Sequence, residues 1–423
     1  MLLYFRSDSC SAISQHSLGL NVDTLRIGSL NSSSNPPIRR SSTSDALDAV
    51  DEDLLIFVGA TIFRHITQLV CNASAIYEVG PTQKTDITSD NDYNINCGLE
   101  PGQAGGQVVS NSQYRIATAI YPSASMMNHS CNPSVINSFY GKRLIVKAIK
   151  NVAAEEEIFN CYGPHFRRHT HQERQEVLKF QYNFTCECTS CSKKELDEFQ
   201  ERFSALRCSF CGGPIRNPHS EASLNHHMPC LDCGREQEYK SQIEQVFLAY
   251  DLFRKGMECL RFGNMAETIP VLQSCYQLRS KAMYAHHLEV TEVADQLARC
   301  YAMMGSFNES AQYLKVCLPA IQERFGPHSV EVAHELVKYT DVLLGDLQDS
   351  TKRISLFEEK VLEANTCLER AAQIFELHYG TWNKTYQEIL QKLEKMQFLV
   401  DSNAKVSSSS PNPSIVSHVP AKN

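Results

Sequence analysis

Three cysteines in one short segment are the residues of this chain whose spacing most directly indicates chemistry. Cys186, Cys188 and Cys191 follow one another in the pattern Cys-x-Cys-x-x-Cys. Thiolates this close together are typical ligands of zinc, which prefers a tetrahedron of four soft ligands. The segment therefore predicts a zinc site that needs one further ligand from elsewhere. A cluster of free thiols is the alternative interpretation.

A second set of cysteines supplies four ligands by itself. Two Cys-x-x-Cys pairs lie at the separation typical of a zinc ribbon: Cys208, Cys211, Cys230 and Cys233. Gly212 and Gly234 follow the pairs, where a tight turn has to direct backbone amides toward sulfur. His226 and His227 lie in the intervening loop and could replace a ligand, although four thiolates already suffice. Both zinc ions are predicted to be structural, because neither site keeps an open position.

Two further runs carry polar and aromatic residues in suggestive order. The first ends in Asn128-His129-Ser130-Cys131, and the second is Asn160-Cys161-Tyr162-Gly163. Phe184 stands just before the first cysteine segment. Each has an ordinary structural explanation, because Asn-His is a common turn pair, a tyrosine before glycine can end a strand, and Phe184 can belong to a core.

The elements that have to position these runs follow from hydrophobic periodicity. Apolar residues at helical spacing predict a helix from Leu54 to about Ile76, and the Gly-, Asn-, Asp- and Gln-rich residues 80–113 predict a polar surface insertion. A polar helix is predicted over residues 165–181. Three strand-like segments lie between the insertion and this helix, at residues 115–121, 135–140 and 144–149. A hairpin turn is predicted at Gly141, between the last two.

The C-terminal part is predicted to be helical and repetitive over residues 241–400. Several residues recur at one common offset: Gly263 and Gly305, His286 and His328, Val290 and Val332. Paired helices with a small residue in the turn are typical of tetratricopeptide-like repeats, and a third, degenerate copy is expected over residues 363–382. An ordinary helical bundle is the alternative.

Size, cysteine content and charge limit the class of protein. A chain of 423 residues has room for two or three domains. The clustering of its 17 cysteines indicates metal ligation and not a disulfide framework, so we expect a reducing compartment. A net charge of −8 and a pI near 6.0 leave no basic excess to neutralise phosphates, so nucleic acid is not expected as a partner.

Two other surface functions are weakly supported. Recognition of DNA by the ribbon would depend on Arg216, His219 and Arg235, which form only a thin basic patch. The longest mainly apolar run, residues 54–63, is shorter than the ~20 residues that a membrane span needs. Membrane association is therefore not expected.

In this order and at this spacing, the runs resemble the C-terminal half of a SET domain followed by its cysteine-rich post-SET segment. Together with the helical lobe, they make the chain similar to the SET- and MYND-domain lysine methyltransferases over residues 50–400. The run from Tyr121 to Cys131 and the ribbon look closest to the family's fourth member. The resemblance implies S-adenosylmethionine and Zn²⁺ as cofactors, a protein or peptide substrate that carries lysine, and a location in nucleus and cytoplasm.

The resemblance also implies roles for individual residues. Tyr162 matches the catalytic tyrosine, and Tyr182 matches an aromatic residue of the substrate channel for lysine. Cofactor contacts are implied for Asn128, His129, Tyr162, Phe184 and Ser125. Cys131 is implied as the fourth ligand of the zinc ion that is bound by Cys186, Cys188 and Cys191. That zinc ion would fasten the post-SET segment to the SET core.

Two expected parts are not recognised in the sequence. Residues 1–50 contain neither the first SET strands nor their glycine-rich cofactor loop, and the glycines of residues 102–106 lie in the polar insertion. Cys10, Cys71 and Cys97 are the cysteines before Cys131, too few for a MYND finger. We therefore expect a chain that is shortened at its N-terminus and a cofactor pocket that is incomplete.

The expected fold class is α+β. A partial β-rich SET domain is expected over residues 51–182, a zinc-bound post-SET segment and zinc ribbon over 183–240, and an α-helical tetratricopeptide-like repeat lobe over 241–400. Residues 1–50 and 401–423 are expected to be disordered. The expected function is transfer of a methyl group from S-adenosylmethionine to a protein lysine. The rival hypothesis is a non-catalytic scaffold whose zinc modules and helical lobe bind a partner protein.

Overall fold

The described part of the chain comprises residues 52–81, 97–99, 108–193, 199–215, 227–348 and 354–408 of a computed structural model. The expected disordered residues 1–50, the centre of the predicted insertion and residues 409–423 lie outside these ranges. Arg216, His219 and His226 of the ribbon loop also lie outside them. None of the helices in the described ranges is long and apolar enough to cross a membrane.

A long helix leads directly into an antiparallel sheet. Helix α1 (Glu52–Asn72) is followed without a loop by strand β1 (Ala73–Pro81). Strand β3 (Val108–Ile120) pairs with β1 through its residues 111–120, and the short strand β2 (Cys97–Leu99) pairs with residues 108–110 of β3. The predicted helix is confirmed, but it ends at Asn72, where the chain becomes extended.

The predicted polar insertion at residues 80–113 is partly strand. Its first residues complete β1, residues 97–99 form β2, and residues 108–113 begin β3. The prediction failed here because it relied on composition, whereas strand pairing is made by backbone groups that polar residues also possess. Residues 82–96 and 100–107 are outside the described ranges.

A short helix and a hairpin follow the first sheet. Helix α2 (Pro122–Ser125) begins at a proline, and strands β4 (Val135–Tyr140) and β5 (Arg143–Ala148) pair in register from Val135–Ala148 to Tyr140–Arg143. Gly141 has φ +55°, the left-handed conformation that its turn requires. The predicted hairpin is confirmed.

The two runs that precede and follow this hairpin lie side by side. The backbone N–H of Asn160 donates to the carbonyl oxygen of Asn128 at 2.9 Å, and the N–H of Ser130 donates to the carbonyl oxygen of Asn160 at 2.9 Å. The pairing of His129 with Asn160 is parallel. Because these bonds join residues far apart in sequence, they bring His129 and Tyr162 into one site.

Helix α3 (His171–Tyr182) carries the chain from this site toward the cysteine segment. Its N-terminus is fixed by a capping box, in which Thr170 and Glu173 satisfy each other's backbone N–H groups. This box explains why the helix begins after residue 170 and not at the predicted residue 165. The helix ends at Tyr182 and is capped by Asn183, which adopts the left-handed conformation with φ 58°. Helix α4 (Thr189–Ser192) then carries the last cysteine of the segment.

The ribbon consists of two small hairpins that dock on the helical lobe. Strands β6 (Leu206–Arg207) and β7 (Pro214–Ile215) form the first hairpin, and strands β8 (His227–Pro229) and β9 (Glu236–Glu238) form the second. The N–H of Tyr284 donates to the carbonyl oxygen of Ala205 at 3.0 Å. The ribbon is thereby tied to the lobe by main-chain bonds.

Seven helices make up the described part of the lobe: α5 (Lys240–Arg261), α6 (Met265–Ala282), α7 (Leu288–Met303), α8 (Phe307–Phe325), α9 (Val330–Gln348), α10 (Ile354–Tyr379) and α11 (Lys384–Ser408). The turns after α5 and α7 contain Gly263 and Gly305, with φ +73° and +75°. Leu336, Leu368 and Phe375 are fully buried between the later helices. The predicted helical character of residues 241–400 is confirmed.

Two predicted boundaries in the lobe are wrong. The expected third copy over residues 363–382 starts inside α10 and ends before α11, so it does not correspond to a helix pair. The expected disordered tail begins too early, because α11 continues to Ser408. No proline lies between Asp401 and Pro411, so residues 401–408 continue the helix despite their polar composition.

Several contacts between the lobe and the N-terminal part of the chain use donors that bind main-chain carbonyl groups. The indole N–H of Trp382 donates to the carbonyl oxygen of Phe139 at 2.8 Å. In the opposite direction, Lys147 Nζ donates to the carbonyl oxygen of Glu376, and Arg167 Nη1 donates to that of Glu323 at 2.7 Å. These bonds fix the hairpin β4–β5 and the segment before α3 against the lobe.

Candidate cofactor and zinc sites

The first cysteine cluster has the geometry of a zinc site. The sulfur atoms of Cys131, Cys186, Cys188 and Cys191 all lie within 4.8 Å of one another. The sulfur of Cys131 is 3.6 Å from that of Cys191 and 4.0 Å from that of Cys186. A tetrahedral zinc with Zn–S distances of about 2.3 Å places its sulfurs about 3.8 Å apart. The four residues therefore fit Zn²⁺, and the ligand implied by the resemblance, Cys131, is the one that joins the other three.

Local structure holds these cysteines in place. Cys131 is fully buried and directly follows the run 128–130, which pairs with Asn160. The side chain of Gln175 on α3 accepts from the N–H of Cys186 at 2.9 Å and donates to its carbonyl oxygen at 2.8 Å. The N–H of Cys191 donates to the carbonyl oxygen of Cys188 at 2.7 Å. Helix α3 thus orients the cysteine segment toward Cys131.

The thiols of this cluster share their protons unequally. A hydrogen bond from the Cys131 thiol lowers the pKa of Cys188 to about 3, and the same contact raises the pKa of Cys131. Burial raises the pKa of Cys186 to about 12. Zinc binds cysteine as the thiolate, so binding of Zn²⁺ to this cluster would release protons.

The ribbon cysteines form a second cluster of the same kind. Their four sulfur atoms also lie within 4.8 Å of one another, with Cys208 to Cys233 at 3.8 Å and Cys211 to Cys230 at 3.6 Å. Burial alone would raise the pKa of Cys208, but backbone hydrogen bonds outweigh it and lower this pKa to about 7. His227 is not a member of the cluster. The four thiolates fit Zn²⁺ with no position left open.

The two clusters differ in their exposure to solvent. In the ribbon, Cys211 and Cys233 are exposed, and in the first cluster no cysteine is. Gly212 and Gly234 have φ +78° and +69°, the left-handed conformations that close the two ribbon turns beside the cysteine pairs. The ribbon site is therefore the more accessible of the two.

A cavity of about 710 Å³ lies beside the first cluster. That volume is in the range of small-molecule and cofactor sites. Its lining combines aromatic faces with polar groups, a composition that suits a nucleoside with charged substituents: Asn128, His129, Lys150, Glu156, Phe159, Tyr162, Phe184, Glu187 and neighbouring backbone. Cys186 and Cys188 also line it, so the cavity and the first zinc site share a wall.

Tyr162 lies at the centre of an aromatic group next to this cavity. Its hydroxyl donates to the carbonyl oxygen of Met127 at 2.8 Å. Its ring centroid is 4.8 Å from that of Tyr182 and 6.5 Å from that of Phe184. Burial raises the pKa of Tyr162, and it raises the pKa of Tyr182 to about 12. Both phenols therefore keep their protons at neutral pH.

His129 links Tyr162 to the zinc cluster. Its Nδ1 accepts from the backbone N–H of Tyr162 at 3.0 Å, so the ring proton is on Nε2, which lies 3.3 Å from the sulfur of Cys131. Burial lowers the pKa of His129 to about 4, which keeps the imidazole neutral. Its ring packs edge-on against Phe184 at 6.1 Å.

The remaining predicted residues are placed as follows. Asn128 lines the cavity, and its amide donates to Glu157 at 2.6 Å. Tyr182 packs on Tyr162 and donates to its carbonyl oxygen at 3.2 Å, outside the cavity lining. Ser125 also lies outside the lining, and its hydroxyl donates to carbonyl oxygens of the backbone at the end of α1 and before α2. The structure therefore brings Asn128, His129, Tyr162 and Phe184 together at the cavity. Ser125 is not part of this group, because its hydroxyl is bound to the backbone outside the cavity.

Two polar contacts of the site were missed by the sequence analysis. Arg174, inside α3, is buried beside Cys191, and Glu157 holds the amide of Asn128. Arg174 gives no distinctive signal, because arginine is an ordinary residue of a polar helix. The run Glu155-Glu156-Glu157 lies just before Asn160. It was a weak signal that carboxylates lie near the paired residues His129 and Asn160.

Comparisons with known proteins agree with this geometry. The SET domain family model matches residues 35–163. Protein-lysine N-methyltransferase SMYD4 of Homo sapiens is 30% identical over 343 residues, which cover 79% of this chain and 37% of the human protein. N-lysine methyltransferase SMYD2-A of Danio rerio is 39% identical over 281 residues, which cover 66% of this chain and 55% of that protein. The chain belongs to the SET- and MYND-domain lysine methyltransferase family.

The extent of these matches bears on the domain boundaries. The SET match begins at residue 35, upstream of residue 51, where the sequence analysis places the start of the SET domain. SMYD4 of Danio rerio is 27% identical over 374 residues, which cover 81% of this chain and 45% of that protein. The chain thus spans less than half the length of the SMYD4 relatives from both species.

Proposed function

We propose that this chain transfers a methyl group from S-adenosylmethionine to a lysine of a protein or peptide. One arrangement carries the proposal: the half-buried phenol of Tyr162 lies where the paired runs around His129 and Asn160, Phe184 and the first zinc cluster meet, beside a cavity of cofactor size. The relatives named above are lysine methyltransferases, which supports the same reaction.

We assign the cavity to the cofactor. S-adenosylmethionine, when bound, supplies a methyl group on a sulfonium that a neutral amine can attack. The amide of Asn128 and the backbone of His129 are proposed to hold it, and Phe184 offers an aromatic face for an adenine ring. Ser125 stays a prediction, since its hydroxyl proton is already used by carbonyl groups outside the cavity.

The tyrosines are proposed to act by position and not as bases. A lysine amine has an ordinary pKa near 10.4, so it has to lose its proton before it attacks a methyl group. Enclosure by the rings of Tyr162 and Tyr182 removes water and thereby favours the neutral amine. The proton of the Tyr162 hydroxyl is donated to Met127, so its oxygen remains an acceptor for an amine N–H. Such alignment accounts for much of the rate of a displacement reaction.

The test has a binding step and a catalytic step. Calorimetric titration of S-adenosylmethionine into the zinc-loaded chain is expected to show one site, and Asn128→Ala is expected to weaken it. With radiolabelled cofactor and a mixture of lysine peptides, Tyr162→Phe should lower transfer by roughly 100-fold while cofactor binding changes little. Undiminished transfer by Tyr162→Phe would refute its catalytic role. A folded, zinc-loaded chain that does not bind the cofactor would favour the non-catalytic scaffold instead.

We further propose that the lobe consists of tetratricopeptide-like repeats that bind a partner protein. The equivalent glycine turns at Gly263 and Gly305, and the pairing of α5 with α6 and of α7 with α8, support this assignment. A protein, and neither nucleic acid nor membrane, is the proposed partner, and nucleus and cytoplasm are the proposed location. Capture of one defined protein by the full chain, lost when exposed residues of the lobe are changed, would test the partner surface.

A further inference from the structure

Arg174 is a fully buried cation with an unusual set of partners. Its side chain extends from α3, and the residue is 1% exposed. Its Nη1 donates to the carbonyl oxygen of His169 at 2.8 Å, and its Nη2 donates to that of Ser190 at 3.0 Å. Nη2 also lies 3.7 Å from the sulfur of Cys191, within hydrogen-bonding distance for a thiolate. Across the described ranges, no carboxylate pairs with this guanidinium.

A buried guanidinium without a counter-charge is costly, because removing an ion from water carries a penalty that neutral carbonyl groups repay only in part. The other arginine with equal burial shows the usual solution. Arg279 in α6 is also 1% exposed, and it pairs with Glu289 at 3.0 Å and Glu292 at 3.4 Å. The negative charge that compensates Arg174 therefore has to come from a group other than a carboxylate.

The first cysteine cluster can supply that charge. Zn²⁺ with four thiolates carries a formal charge of −2 in a site where none of the cysteines is exposed. The guanidinium and the metal centre would therefore compensate each other. The two carbonyl groups that Arg174 also binds fix its position between the start of α3 and helix α4, which carries Cys191.

The charge of a metal centre in the ribbon cluster can be stabilised by solvent. Two of its cysteines are exposed, so water can solvate the charge of its metal centre. Its neighbouring arginine, Arg235, is exposed, and its guanidinium carbon lies 5.1 Å from the centroid of the exposed ring of Phe210. In the described part of the ribbon, no fully buried arginine lies beside a cysteine.

We propose that Arg174 is a positioning residue of the first zinc site, where its buried charge and its N–H···S contact with Cys191 hold the metal-thiolate centre in its charged, closed form. The ribbon site is held by its four cysteines without such a cation. The inference concerns metal retention and does not depend on the methyltransferase reaction.

The proposal predicts a selective effect on metal release. The wild-type chain, loaded with two zinc ions, is challenged with a chromogenic chelator, and release is followed by absorbance. We expect two phases, a fast one from the exposed ribbon and a slow one from the buried cluster. Cys233→Ser assigns them, because it should remove the fast phase. Arg174→Met should accelerate the slow phase by roughly 10- to 100-fold, the usual cost of removing a group that supports a metal ligand, and should leave the fast phase unchanged.

Two controls separate this role from general packing. Arg174→Lys keeps the charge, so it should restore most of the slow retention. Arg279→Met removes an equally buried guanidinium that touches no thiolate, and it should leave the slow phase within about twofold of wild type even if the lobe melts earlier. If Arg174→Met is not recovered folded, Arg174→Gln serves in its place, since it keeps donors but no charge.

Three results would overturn the proposal. The first is a slow phase in the neutral variant that stays within about twofold of wild type. The second is equal acceleration of both phases, which would indicate a general loosening of the fold. The third is an Arg174→Lys variant that releases metal as fast as Arg174→Met.

Discussion

Two glycine-to-alanine replacements in the lobe can separate the cost of an unfavourable backbone conformation from the cost of a steric clash. One of the two glycines lies at the contact between the lobe and the SET part, and the other does not. Gly263 and Gly380 both follow a helix and both have positive φ, +73° and +86°. An added Cβ at Gly263 meets no atom within 4 Å, whereas at Gly380 it would overlap the ring of Trp382. Alanine should therefore be tolerated much better at residue 263.

The magnitudes follow from the contacts of Trp382. Alanine in the left-handed region costs about 1 kcal/mol at either position. At residue 380 the indole also has to move, which breaks its hydrogen bond to Phe139 (2.8 Å) and its contact with Tyr140 (5.2 Å). These losses add about 1 kcal/mol each. We expect Gly380→Ala to cost roughly 3 kcal/mol in free energy of unfolding and Gly263→Ala about 1 kcal/mol.

Trp382 itself provides the assay, because it is the chain's single tryptophan. Urea unfolding is followed by tryptophan emission and, in parallel, by circular dichroism of the helices. Gly380→Ala should lower the midpoint seen by emission and shift the emission of the folded protein to longer wavelength. Gly263→Ala should leave the folded emission unchanged. Equal midpoint shifts for the two variants, with unchanged emission in both, would refute the assigned contact.

Three further predictions test other parts of the structure. Arg167→Ala removes a partly buried donor to the carbonyl groups at the end of α8 and should cost about 2 kcal/mol in urea unfolding, whereas Arg168→Ala breaks a more exposed ion pair and should cost under about 1 kcal/mol. Burial lowers the pKa of His287 to about 4, so between pH 6.5 and 4 the unfolded chain binds a proton before the folded chain does. Stability should therefore fall by roughly 3 kcal/mol on acidification, and by less in His287→Asn. Cys131→Ser should reduce the zinc content measured by atomic emission from two ions to one, and a content of two would contradict the ligand assignment.

The cysteine sets were predictable because their information is local. Zinc ligands close in sequence need only a turn between them, and the ribbon pairs show this spacing directly. The partner Cys131 is distant from Cys186 in sequence, so spacing alone could not find it, and only the resemblance to SET domains identified it. The same holds for Tyr162, whose meeting with His129 depends on the pairing of two distant runs.

The remainder depends on tertiary structure. Arg174 lies in a helix of polar composition, and its burial follows from the docking of that helix on the cysteine segment. Likewise, nothing near Trp382 in sequence indicates that its indole binds Phe139. The strand character of residues 108–113 was missed because backbone pairing leaves little trace in composition. Periodicity found the helices of the lobe because each of them buries one face against its neighbours.

The contact between lobe and SET part has a consequence for how the sequence can change over evolutionary time. Arg167, Lys147 and Trp382 all donate to carbonyl oxygens of the main chain, which every residue type provides. The side chain at an accepting position such as Glu376 can therefore change without loss of these bonds, whereas the carboxylate of Glu323 has separate contacts with Tyr284 and His286. Because each of these three bonds needs a particular donor side chain but no particular acceptor side chain, homologous chains should vary more at the accepting positions than at Arg167, Lys147 and Trp382.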